Sequence, residues 1–370
     1  MRKIFASCAL LFCALISHAH ALGDDPRQEF TRQIRRQFAT TANGMTVLYN
    51  AHGDIAIQTL PNTQEVKVDV TIIVKAKSKQ EADRIFDAIQ VNFTHTPGYV
   101  KAQTMLQKNF PESVGCKEFK VNYQVNMPAD NQLELSNRYG NTHIVGGLNG
   151  KLSAEIKYGD LALDHPVNET QFLLGYGKLK AAQIGFAQGQ LNYAQFDANQ
   201  TGELRLESKY SKIKVERSDN IILTSRYDDL NFGTVTAISL RAKYGTTTIR
   251  EVRSACLTAE YSDFDIRSLR ELLDANLSYG KLNIVSLGRD FKEARVNTRY
   301  TDVVIQVEPG AKFRFDTEGK HNKISYPSAA LVNKRTESGE NSILRGYVGD
   351  ANSRRIVVAR VDYGRFVIRQ

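Results

Sequence analysis

The strongest constraint on this chain is a tyrosine that keeps returning. Tyr139, Tyr158, Tyr176, Tyr193, Tyr210, Tyr227, Tyr244, Tyr261, Tyr279 and Tyr300 follow one another at intervals of 17 to 21 residues. The flanking text repeats with them: NRYGN, IKYGD, LGYGK, SKYSK, SRYDD, AKYGT, AEYSD, LSYGK, TRYTD. A fixed period of this kind marks an array of structural units, and it outranks any local propensity in deciding the fold.

With the tyrosine as position 0, position +1 is a turn residue: Gly140, Gly159, Gly177, Gly245 and Gly280, otherwise mostly Ser, Asp or Thr. Positions +3 and +5 are apolar, as in Ile213 and Val215, Leu230 and Phe232, Phe264 and Ile266, Leu282 and Ile284. Position +8 holds Val235, Val252, Leu269 and Leu287, and positions +11 and +13 hold Leu204 and Leu206, Ile221 and Leu223, Ile238 and Leu240. Position +15 is small: Ser208, Ser225, Ala242, Ala259. Apolar and polar residues alternate, so the elements are half-buried strands, two or three to a repeat.

One such unit cannot bury its inner face alone, whereas stacking each strand on its equivalent in the next repeat does. The expected fold is all-β, a parallel β-solenoid (β-helix) with rungs of about 17 residues and a short N-terminal helix. Rungs rise by about 4.8 Å, so ten make a prism of roughly 50 Å. The tyrosines are expected to form an internal ladder at one corner, each ring pointing inward beside the small +15 residue. A propeller needs blades of about 40 residues, and a sandwich has no reason for a fixed tyrosine period.

Outside the array, residues 1–21 read as an exported leader: MRK, the apolar run IFASCALLFCALIS, then HAHA with cleavage expected after Ala21. Residues 22–122 hold strands and a capping helix, 123–310 the core repeats, and 311–370 an excursion followed by final rungs. SKQEADRIFDAIQVNF carries a capping-box pattern at Ser78 and Glu81, with Ala82, Ile85, Phe86 and Ile89 on one face. GKHNKISYPSAALVNKRTESGENS breaks the period and reads as a loop. RRIVVARVDYGRFVIRQ returns to it, with Tyr363, Gly364, Phe366 and Ile368 in motif positions.

NGMTVLYNAHGDIAIQTLP, VKVDVTIIVKAKSKQEADRIFDAIQV and VNYQVNMPADNQLELSNRYGNTHIVGGLNGKLSAEIKYGDLAL together resemble the bacterial β-strand-repeat proteins of the domain-of-unknown-function 4097 class, a family of candidate adhesins. The resemblance covers nearly the whole mature chain and implies an exported parallel β-solenoid with an envelope or surface role. It brings no catalytic residues, and a role argued from fold alone is an analogy.

Chemistry is sparse. Solenoids also carry polysaccharide lyases and hydrolases, whose sites need converging carboxylates. Asp228, Asp229, Asp263 and Asp265 lie near the tyrosine turns and read as turn and surface residues. His52, His95, His143, His165 and His321 show no metal spacing, and there is no phosphate loop or nucleophile elbow. No catalytic, cofactor or metal residue is expected. Cys116 and Cys256 remain after removal of the leader, too few to staple the chain, and Cys256 is expected to point outward. The chain carries 49 Lys and Arg against 40 Asp and Glu, 47 against 40 without the leader, a mild surplus that permits contact with an anionic surface.

The candidate binding feature is basic. The residue before the tyrosine is Arg138, Lys157, Lys209, Arg226, Lys243 and Arg299, and Lys209, Arg226 and Lys243 fall on successive rungs about 5 Å apart. Such a stripe could hold an anionic glycan, although it also serves to keep a solenoid soluble. The expected function is that of a non-enzymatic, exported, adhesin-like or envelope interaction protein in the periplasm or at the cell surface. Its partner would be an anionic glycan or an envelope protein; no nucleic acid and no transmembrane segment in the mature chain are expected. A polysaccharide-active enzyme and a structural periplasmic scaffold are the alternatives.

Overall fold

The computed structural model describes residues 27–110 and 118–370. The expected leader, residues 1–21, lies outside the described residues, as do Pro111 and Cys116. Among those described, the chain is nearly all β: 23 strands joined in one hydrogen-bonded sheet, with one helix, Lys79–Asp87.

The array pairs with itself at the tyrosine period. Lys178–Asn192 lies parallel to Gln195–Lys209, that strand to Lys212–Arg226, and that in turn to the start of Asp229–Leu287. Leu204 faces Ile221 and Ile221 faces Ile238, so like sits beside like. Asp229–Leu287 is an unbroken ladder of 59 residues. If it were straight, Tyr244 and Tyr261 would stand roughly 55 Å apart, yet their rings are 5.0 Å apart, and those of Tyr261 and Tyr279 are 4.7 Å apart. The strand therefore winds back on itself once per repeat.

The interior follows from the sequence pattern. In the Tyr210 repeat the buried residues are Ser211, Ile213, Val215, Ser218, Ile221, Leu223 and Ser225, followed by Asp228 in the next. Their spacing is two within a straight run and three at Val215–Ser218, Ser218–Ile221 and Ser225–Asp228. Strict alternation cannot close an odd repeat, because each turn of the chain would swap inside for outside. Three steps of three divide the repeat into three faces, and each places two outward residues side by side at a bend. Each Leu, Ile or Phe of the interior contributes about 1.5–3 kcal/mol by leaving water.

One of these bends corrects the sequence reading of the tyrosines. They do not point inward beside position +15. Every one of Tyr139 through Tyr300, and Tyr363, has φ between 50° and 58°. This left-handed conformation breaks the alternation, so that positions −1 and 0 both face solvent and the small +1 residue turns in. The rings are 39–54 % exposed.

The two ends of the array are built differently. Met45–Ala51 and Ile55–Leu60 flank His52 and pair in parallel with Gln132–Arg138 and Thr142–Val145, forming a repeat like the others. Tyr99–Leu106 and Phe119–Pro128 pair on the far side of that repeat. Antiparallel Glu65–Ala76 and Gln28–Ala39 then continue the sheet. The helix buries Ala82, Ile85 and Phe86. Ser78 Oγ accepts from the Glu81 amide at 3.3 Å and the Glu81 carboxylate accepts from the Lys77 amide at 2.7 Å, which closes its first turn. Ile89, read as part of the helical face, opens the next strand and is buried there.

At the other end, the stretch read as a loop contains structure. Lys323–Ser325, Leu331–Ser338 and Asn341–Val348 are strands, the last two a hairpin. Phe313–Lys320 and Lys323–Ser325 form a further repeat with His321 in the tyrosine place. The final strands, Ile356–Asp362 and Arg365–Arg369, slot between it and Glu293–Val307. The chain thus overshoots by one repeat and returns to fill the gap.

Candidate functional site: the tyrosine edge and the adjoining groove

The edge is built by the backbone. Tyr193 N–H donates to Lys209 O and Tyr210 N–H to Arg226 O, both at 3.0 Å, so the sheet ladder continues through the bend. The residue at +1 faces the same atoms of the repeat before it and must be small or hydrogen-bonded. A Cβ on Gly159 would stand 2.0 Å from Gly140 O. Ser211 Oγ instead accepts from the Ala194 amide at 3.1 Å and donates to Lys209 O at 2.8 Å. Asp228 accepts from the Ser211 amide at 2.7 Å, from Ser225 Oγ at 2.7 Å and from the Arg226 amide at 3.1 Å. Burial pushes the Asp228 carboxyl up, and these bonds pull against that shift.

On the outside, neighbouring tyrosine rings from Tyr139 to Tyr300 and on to Tyr363 stack at 4.7–5.2 Å, tilted by 2–19°. His52 stacks on Tyr139 at 5.0 Å and His321 on Tyr363 at 4.8 Å, so a histidine takes the ring position at each end of the tyrosines, and Phe119 packs in turn on His52 at 4.8 Å. Both have positive φ, 60° and 47°. Burial lowers the His52 pKa. Sequence reasoning passed over these two histidines. The signal was present in AHGD at 51–54, which matches KYGD at 157–160 residue for residue except for the exchanged ring and its neighbour.

The six basic residues all lie beside this edge, but not as one stripe. Arg138 and Lys157 both pair with Glu155, at 3.4 and 2.8 Å, and the Lys157 ammonium in particular holds that carboxyl below its usual range. Gly175 and Asn192 then interrupt the column before Lys209. Lys209, Arg226 and Lys243 stand in register on adjacent rungs. Lys243 is taken up by Glu260 at 2.8 Å and lies over the Tyr244 ring at 5.5 Å. Arg299 stands apart, 5.3 Å over the Tyr300 ring. Lys209 and Arg226 are exposed and make no ion pair among the described residues.

Of the carboxylates weighed for catalysis, Asp228 is buried, whereas Asp229, Asp263 and Asp265 face solvent. His143 pairs with Asp164, His165 accepts from the Gly146 amide at 3.1 Å, and His95 meets Ala39 O at 2.8 Å. No group of three or more His, Cys, Asp or Glu is placed to hold a metal among the described residues. Cys256 is a free, exposed thiol. Among the described residues, no helix is long and apolar enough to cross a membrane.

The face that precedes the edge carries a feature with no counterpart in the sequence reading. A groove of about 990 Å³ runs over it, lined by residues from Tyr49 and Gln103 at one end to Ile222 and Thr224 at the other. The Tyr49 hydroxyl meets the Glu134 carboxylate, which pushes the phenol up to about 12, and Lys101 lies 4.7 Å over the Tyr49 ring.

No family model matches this chain, and no curated protein does. Solved structures give distant likenesses. A candidate cell adhesion protein from Clostridium sporogenes is 7 % identical over 92 % of this chain and 100 % of its own, with a TM-score of 0.21. A candidate adhesin from Bacteroides fragilis is 11 % identical over 92 % of this chain and 97 % of its own, with a TM-score of 0.23. A candidate lipid-binding protein from Parabacteroides distasonis is 12 % identical over 92 % of this chain and 96 % of its own, with a TM-score of 0.26. At such TM-scores these likenesses carry no argument about this chain's fold or role.

Proposed function

We propose that this chain is a parallel β-solenoid exported to the cell envelope, where it acts as a non-enzymatic binding protein that holds an anionic glycan along the tyrosine edge. The winding of Asp229–Leu287 and the in-register pairing at the tyrosine period support the solenoid. The leader pattern in residues 1–21 supports export. One observation carries the ligand: Lys209 and Arg226 are exposed on adjacent rungs without a counter-ion among the described residues, beside a row of half-exposed rings. Unpaired cations about 5 Å apart repel each other, and a polymer with acidic groups would relieve that repulsion. The rings offer apolar edges to sugar carbons between the charges.

Polygalacturonate is the probe. The full chain should bind it in a salt-dependent way, and Lys209→Glu with Arg226→Glu should weaken binding by at least tenfold with an unchanged unfolding midpoint. Unaltered affinity in that double variant would remove the edge as the binding surface. Protease accessibility of tagged protein on intact cells, against a periplasmic marker, separates a surface position from a periplasmic one.

A further inference from the structure

We propose that the groove on the face before the tyrosine edge is a separate site for an uncharged, extended polysaccharide whose chain crosses the rungs. The inference rests on reading the chain as a binding protein, but not on the basic residues of the edge. The groove is formed by two outward columns held in parallel register. Ser136 faces Glu155, Glu155 faces Leu173, Leu173 faces Gln190, Gln190 faces Glu207 and Glu207 faces Thr224. Beside them Ser153 faces Gln171, Gln171 faces Gln188, Gln188 faces Arg205 and Arg205 faces Ile222.

The chemistry of these columns suits sugar hydroxyls. Ser136, Ser153, Gln171, Gln188 and Thr224 have no side-chain hydrogen-bond partner among the described residues, and Gln190 has only Glu207 at 3.5 Å. Amides and hydroxyls both donate and accept, as an unsubstituted sugar requires. Leu173 and Ile222 are 47 % and 41 % exposed in the same groove, and they offer apolar contact to ring carbons. The volume, about 990 Å³, is that of an ordinary ligand cleft.

Charge sets this site apart from the edge. Its lining has three carboxylates, Glu134, Glu155 and Glu207, against two guanidinium groups, Arg138 and Arg205. Arg138 is engaged with Glu155, and Arg205 with Glu203 at 2.5 Å. Nothing there draws a polyanion. Spacing selects the polymer geometry. Rungs repeat every 4.8 Å or so, and a pyranose linked equatorially across its ring advances by nearly that distance. Successive sugars of a flat β-1,4-linked chain would meet successive pairs of the two columns, whereas a curling α-linked chain would drift out of register.

Cellohexaose and chitohexaose are the probes, titrated calorimetrically into the full chain, with maltohexaose as control. At least one β-linked hexamer should bind saturably, at least tenfold more tightly than its dimer and than maltohexaose. Each glutamine amide would lose its hydrogen bonds to the sugar, so Gln171→Ala with Gln188→Ala should weaken binding by roughly tenfold or more. Lys209→Glu with Arg226→Glu should leave it unchanged, so loss of polygalacturonate binding and loss of hexamer binding are separate results. The proposal is overturned by absence of saturable binding of both β-linked hexamers. Equal binding of maltohexaose, or indifference to the glutamine substitutions in variants with wild-type unfolding midpoints, overturns it as well.

Discussion

Tyr210 tests whether the edge is held by its rings or by its backbone. Its φ is 52°, a region in which an L-residue costs roughly 1–2 kcal/mol. Its ring lies 4.8 Å from both Tyr193 and Tyr227, and the residue is 48 % exposed. About 100 Å² of it is therefore covered, worth about 2.5 kcal/mol at about 25 cal/mol/Å². The two stacked contacts add about 1 kcal/mol each. Tyr210→Ala loses the ring and keeps the backbone cost, so it should destabilise by about 4–5 kcal/mol. Tyr210→Gly loses the same ring but is relieved of the backbone cost, less about 0.5–1 kcal/mol for its freer unfolded chain. Glycine should accordingly be the milder change, by about 1 kcal/mol or somewhat less. Tyr210→Phe should fall within about 0.5 kcal/mol of the parent, because the hydroxyl has no partner among the described residues. Urea unfolding at constant m-value reads all three. Alanine equal to or better than glycine would refute the backbone argument, and alanine within about 1 kcal/mol of the parent would refute the stacking argument.

Other substitutions probe the interior. Burial pushes the Tyr123 phenol up to about 12, against a weaker downward pull from its bond to Thr104 at 2.9 Å. The folded state thus favours the protonated phenol. Its contribution is complete below about pH 10 and disappears as pH rises through about 12, a span worth about 2–3 kcal/mol. Tyr123→Phe should flatten the alkaline limb of the stability profile and cost about 1 kcal/mol at neutral pH; an unaltered limb would refute the assignment. A Cβ on Gly189 would meet the Phe172 ring at 2.6 Å, so Gly189→Ala should cost about 1–3 kcal/mol and be largely restored by Phe172→Leu in thermal unfolding. Asp228→Ser should reproduce the Ser211 arrangement and be tolerated, whereas Asp228→Ala strands two amides and should cost about 1–3 kcal/mol per unpaired group. Since the folded Asp228 carboxyl is raised, its contribution is present at acid pH and is lost as pH rises through the folded pKa. The melting temperature of Asp228→Ser relative to the parent should therefore be higher at pH 7 than at pH 3.5, and an opposite trend would sink the argument.

The repeat was legible because its cause is local and recurrent. Ile213, Val215, Ile221 and Leu223 are buried where alternation put them, and so are Leu230, Phe232, Ile238 and Leu240 in the next repeat. Ser78 and Glu81 close the helix as their spacing required. The direction of the tyrosine was not legible. With a repeat of 17, the break in alternation can fall between 0 and +3 or between +15 and the next +1, and the same residues fit both patterns. The sign of φ at one residue decides between them, and an aromatic residue with positive φ is a choice that local propensity argues against. Only the rings of the repeats before and after repay it. The same holds for His321: its repeat lies outside the Tyr363 repeat although it precedes it in the chain. The groove is equally non-local, since Tyr49 and Ile222 join it through pairings across seven repeats. The sequence by itself determined that the chain is β, repeating, and apolar at the stated positions, because period and burial are properties of each segment. Tertiary structure decided which residues share an outer surface, because that depends on how each turn of the chain is laid against the next.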